Sequence, residues 1–151
     1  MKKLLFILML LFSICSFAQN VQTVYCEIIG SGNFSGNNIK ISFDFGTEGF
    51  SYKASEENQI VNEKGKLIQF SSMVEALNYM AARGWKLHTA FSAAVKGMGA
   101  QETYRYILCK ELLEGQSGMD GITLFREYKV QKREKAEEEE KRKGTWDDIY
   151  K

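Results

Sequence analysis

One stretch of this chain keeps a helical period while its neighbours alternate with a period of two, and that contrast limits the folds open to it. Ser72-Met73-Val74-Glu75 has the form of a capping box, with the serine oxygen accepting an orphan backbone N–H and the glutamate reaching back. Met73, Leu77, Met80 and Ala81 then recur on one face. Gly84 follows, a residue that takes the left-handed stop without a Cβ clash. The surrounding segments read as strands. Residues 21–29 are β-branched and aromatic, 39–45 alternate apolar and polar, and 103–110 return the same pattern. Trp85-Lys86-Leu87-His88-Thr89-Ala90-Phe91 alternates too, so Trp85, Leu87 and Phe91 are expected to face the core. Residues 50–53 form a short extended piece, and 59–61 and 66–70 flank Asn62-Glu63-Lys64-Gly65 as a hairpin. Glycine-rich turns separate these pieces at 30–38 and 46–49, and a loose connection at 96–101 makes a second hairpin. The class is α+β.

The character changes after residue 114. Gly115-Gln116-Ser117-Gly118-Met119-Asp120-Gly121 reads as a linker. From Arg126 to Lys143, 14 of 18 residues are charged, and Glu137, Glu138 and Glu139 stand four residues before Lys141, Arg142 and Lys143. Each such pair supports a helix by only about 0.2–0.5 kcal/mol, so 122–151 is expected to be a marginal, exposed charged helix. Leu124, Phe125 and Tyr128 are placed to pin its start. Trp146, Ile149 and Tyr150 make a small apolar cluster at its far end, which either docks back on the domain, touches a partner or stays disordered.

The N-terminus carries an address. Lys2-Lys3, an apolar run over residues 4–12 and Ser16-Phe17-Ala18 have the build of a secretory signal peptide, with cleavage expected after Ala18. The 15 residues from Leu4 to Ala18 fall short of the about 20 a spanning helix needs, and Ile14 before Cys15 speaks against lipid attachment. The predicted organisation is therefore a signal peptide at 1–18, a domain at 19–114, a linker at 115–121 and the tail. An exported, periplasmic or extracellular protein follows, with no transmembrane segment after cleavage.

Charge excludes one class of partner. Residues 19–122 hold 9 basic and 11 acidic side chains, and 123–151 hold 9 and 8. Neither part shows the basic excess of nucleic-acid binders. Cys26 and Cys109 remain after cleavage, both in strand-like segments. They form either a disulfide across neighbouring strands or two buried free thiols.

The segment Leu77-Asn78-Tyr79-Met80-Ala81-Ala82-Arg83-Gly84-Trp85-Lys86-Leu87 resembles the signature L-N-x-L-G-x-E-G-W-E-L of a small bacterial domain-of-unknown-function family. Leu77, Asn78, Gly84, Trp85 and Leu87 match, whereas Ala81, Arg83 and Lys86 depart. The resemblance covers about residues 21–111 and implies an antiparallel sheet of about four to six strands with one packed helix. It implies no activity and no catalytic residues. Physically, Gly84, Trp85 and Leu87 form a structural junction: the glycine stops the helix and the tryptophan covers its end.

Several strings imitate chemistry. Gly30-Ser31-Gly32-Asn33-Phe34-Ser35-Gly36 runs into a strand, so no helix N-terminus stands ready for a phosphate. Asp44-Phe45-Gly46 lacks every companion kinase element, and His88, the one histidine, cannot build a zinc site. No catalytic, cofactor-binding or metal residue is assigned. Three functions remain: a module binding a protein or envelope component, a binder of small molecules or glycans using Phe34, Phe50, Tyr52 and Tyr104, and an enzyme relying on Asp44 or Glu48.

Overall fold

The computed structural model describes residues 20–32, 39–47, 56–94 and 102–149, with 94, 102 and 144–149 described by backbone alone. The elements are β1 (Gln22–Ser31), β2 (Lys40–Asp44), α1 (Met73–Ala81), β3 (Lys86–Ala94), β4 (Glu102–Leu112) and α2 (Phe125–Ile149). The fold is α+β: the strands form one antiparallel sheet in the order β2-β1-β4-β3, a helix packs on one face, and a charged helix ends the chain.

The register explains the core. Cys26 stands opposite Leu108, Ile28 opposite both Phe43 and Tyr106, and Gly30 opposite Ile41. Facing residues share a side of the sheet, so this face is apolar, and Met73, Ala76 and Met80 of α1 close over it. Gly30 permits the close approach of Met73, whose sulfur would have to move aside for a Cβ there.

The ends of α1 follow the sequence. Ser72 Oγ accepts the Glu75 N–H at 3.1 Å. The glutamate reaches back one residue further than expected, its Oε2 accepting the N–H of Ser71 at 2.6 Å. At the other end Gly84 has φ +85°, and the N–H of Trp85 donates to Met80 O at 3.2 Å. Trp85 is thereby turned into the core, 2% exposed, with its ring edge-on to Phe45 at 5.8 Å.

Leu87 and Phe91 correct the expected pattern: they are 46% and 47% exposed. Leu87 shares a rung with Leu108 on the helix-facing side, but at the sheet's edge, where α1 does not cover it. A bulge between Leu87 and Thr89 then shifts the phase, and Phe91 pairs with Arg105 on the opposite face. One extra residue in a strand reverses every side chain after it.

The predicted hairpin at 59–70 is short: Val61 bridges Leu67, with Ile68 N–H donating to Ile60 O and Asn62 N–H to Lys66 O, both at 2.9 Å, and Ile60 also bridges Leu124. The glycine-rich stretch at 115–121 is not a free spacer. Gly118 lies under Trp85 and Val24, Met119 packs against the core, and Ile122 and Leu124 are part of it. The chain after β4 therefore crosses the domain before α2 begins.

Candidate functional site

The root of α2 is tied to the domain by residues 56–61. Val61 N–H donates to Thr123 O at 2.9 Å, Phe125 N–H to Gln59 O at 2.9 Å and Arg126 N–H to Glu57 O at 3.2 Å. The Arg126 guanidinium donates to Asn58 Oδ1 at 3.3 Å and to Thr47 Oγ1. Asn58 is 1% exposed, and its carbonyl accepts the Phe43 N–H of β2. One buried segment thus joins the sheet's β2 edge to the helix root. Every side chain from Lys129 to Lys143 is exposed.

Beside this root lies a groove of about 700 Å³ between the end of α1, the 62–66 turn and the first turns of α2. Lys64, Arg83 and Lys135 bring three cations from three elements, Glu63 is its one carboxylate, and Tyr79 and Tyr128 supply aromatic walls. Arg83 is held in place. Its Nε donates to Gly121 O at 3.2 Å, its Nη1 to Tyr79 O at 2.9 Å, and its Cζ lies 3.5 Å from the Tyr79 ring centroid. Two carbonyls and a cation–π contact fix the guanidinium plane, at the carbonyl end of α1 where a cation is favoured. Opposite, Tyr128 Oη donates to Lys64 O at 3.4 Å, and its ring covers Gly65.

A preset guanidinium flanked by two flexible amines and two aromatic rings suits carboxylates. Sequence reasoning missed this cluster, because Lys64, Arg83 and Lys135 lie far apart in the chain. The one local signal was the four-residue spacing of Tyr79 and Arg83, which places neighbours on one helical face.

The structure does not bring the residues singled out from sequence into one site. Of the two alternatives for Cys26 and Cys109, the structure has the free thiols, with Cys26 buried and Cys109 only partly so. Cys26 faces Leu108 while Cys109 faces Tyr25, one rung away, so the two side chains leave adjacent strands on opposite faces. Cys26 is buried, and burial, followed by the charges of Asp44 and Glu27, pushes its thiol far above the usual range. A thiol so raised does not serve as a nucleophile. Gly84 is the exposed stop of α1, Trp85 packs in the core, and Leu87 does not join Trp85 there. The indole Nε1 of Trp85 has no partner among the described residues.

Asp44 closes a turn, its Oδ1 accepting the Gly46 N–H at 2.8 Å. His88 is exposed on β3, edge-on to Tyr25 at 5.8 Å. Tyr104 is 39% exposed on β4. Phe34, Glu48, Phe50, Tyr52 and Tyr150 lie outside the described residues, as do the signal segment at 1–18 and the side chains of Trp146 and Ile149. Among the described residues no three His, Cys, Asp or Glu side chains are placed to hold a metal, and no helix is long and apolar enough to cross a membrane.

Compared with known proteins, no family model and no curated protein matches the chain.

Proposed function

We propose that the protein is an exported interaction module that holds an acidic segment of a protein or envelope partner in the groove at the root of α2. The observation that carries this reading is the groove itself, where two lysines join a guanidinium held by two backbone carbonyls. The exposed helix beside it supports the same reading. Its side chains from Lys129 to Lys143 are all exposed, and of these Gln131 and Lys135 line the groove. Export rests on the leader-like residues 1–18.

Groove volume fits a small ligand as well, but its three cations against one carboxylate favour an acidic group. An acidic peptide matches it better.

Affinity capture from an envelope fraction tests the proposal, using the protein beside the double variant Lys64→Glu, Lys135→Glu. Both lysines are exposed, so the reversal leaves the fold intact. Capture of a partner by the native protein and its loss with the double variant is expected. Equal capture by both removes the groove from the binding surface.

A further inference from the structure

The far end of α2 breaks a local rule. Asp147 and Asp148 stand in its last turn, and no basic residue accompanies them there. The carbonyl end of a helix favours cations and disfavours carboxylates. Lys143 stands four residues before Asp147, the weaker order for a helix ion pair, and Gly144 stands four before Asp148. The helix itself therefore gains nothing from this pair. Trp146, Ile149 and Tyr150 flank it, so residues 144–150 carry two negative charges and no positive one beside three apolar residues. The groove at the root of α2 has the opposite make-up. Lys64, Arg83 and Lys135 face one carboxylate, Glu63, between Tyr79 and Tyr128. Among the described residues none of the three cations makes an ion pair.

We propose that this groove takes the segment Trp146-Asp147-Asp148-Ile149-Tyr150 of a second copy of the chain. The inference rests on the reading of the groove as a site for acidic segments, and it names one. Charge and ring chemistry select this occupant. Two carboxylates meet the three cations, and the apolar residues beside them meet Tyr79 and Tyr128. The run from Glu137 to Glu140 fits less well, because Lys135, Lys141, Arg142 and Lys143 balance its charge and it has no ring beside it. A chain does not fill its own groove. α2 is continuous from Phe125 to Ile149. At the helical rise, Asp147 stands about 18 Å beyond Lys135 along the axis. The rod between them, exposed from Lys129 to Lys143, holds the segment clear of its own domain, so a second copy supplies it.

Charge exchange tests this. Lys64→Glu with Lys135→Glu reverses the groove, and Asp147→Lys with Asp148→Lys reverses the segment. Both lysines are exposed, and cations suit the carbonyl end of a helix, so both variants are expected to fold, which circular dichroism checks. Sedimentation velocity then compares the native protein, each variant and their equal mixture. The native mass is expected to rise above that of one chain with concentration, while each variant stays at single mass. Mixing is expected to restore association, since each groove again meets a segment of opposite charge. A native protein that stays monomeric at every concentration overturns the proposal, as does association that persists in either variant. A labelled peptide of residues 144–151 gives a second measurement by fluorescence anisotropy. It is expected to bind the segment-reversed protein and not the groove-reversed one, and equal binding to both overturns the proposal. Envelope capture separates this inference from the reading it rests on. A monomeric protein whose captured partner is lost on Lys64→Glu, Lys135→Glu sinks the tail alone. Equal capture beside a charge-exchanged assembly removes the envelope partner and leaves the tail.

Discussion

At the scale of single residues, the two cysteines show how one rung separates two chemistries. Cys109 is partly exposed on one face and Cys26 is buried on the other. Of these two, alkylation of the native protein is expected to modify Cys109, with Cys26 reacting only after denaturation. Mass spectrometry of unreduced protein checks both this and the absence of a bridge. The same thiol makes a pH prediction. The unfolded Cys26 ionises from about pH 8.5 upward, while the folded one stays protonated to much higher pH. The unfolded state then binds fewer protons than the native state, so stability falls as pH rises through this window. This group alone contributes up to about 1.4 kcal/mol per pH unit. Urea midpoints across the alkaline range are expected to fall less steeply in Cys26→Ala. Gly65 is a second sharp case. It has φ +75°, and a Cβ would lie 2.1 Å from the Tyr128 ring. Gly65→Ala is expected to lower stability by more than the about 1 kcal/mol of backbone strain, because Tyr128 must also leave the groove. Thermal unfolding and tyrosine fluorescence together check it.

At the scale of elements, α2 divides into a root and a rod. The root is core: Leu124 is fully buried and bridges Ile60. Leu124→Ala is expected to cost about 2–5 kcal/mol. The rod contributes almost nothing to the fold, so a chain ending at Gln131 is expected to keep its urea midpoint and lose only helical signal by circular dichroism. The charge pattern of the rod was legible because helix ion pairs are local. Its attachment was not, because Arg126 finds Asn58 and Thr47 across the fold. The stretch at 115–121 misled for a related reason. Glycine and serine mark flexibility in an isolated chain, yet here small residues allow close approach, with Gly118 lying against Trp85. In contrast, the extent of α1 was legible, since a cap and a stop glycine act within one stretch of chain, although Ala76 and not the exposed Ala81 completes its buried face. Ser72→Ala is expected to cost about 1 kcal/mol, read from the urea midpoint.

At the scale of the whole molecule, the surface open to a partner arises where distant segments meet. The groove gathers charge from a turn, a helix end and a second helix. If it holds an acidic partner, capture is expected to weaken steeply between low and 1 M salt, as the screening length shrinks to about 3 Å. The groove was not visible as a string of residues. Arg83, Lys64 and Lys135 are unremarkable lysines and arginines in sequence, and β3 reads as a core strand until its place at the sheet's edge is known.

What the sequence determined by itself was everything governed by near neighbours: the helix at 73–81 and its stop, the alternation that makes strands of 22–31, 40–44 and 102–112, and the charge of the tail. The tertiary structure decided which face each strand buries and which strand stands at an edge. A bulge of one residue turned Phe91 outward, and a register offset of one rung kept Cys26 and Cys109 apart. The physical reason is shared. Alternation fixes that side chains take opposite faces, but only the pairing of strands and the placement of a covering helix decide which face is the core.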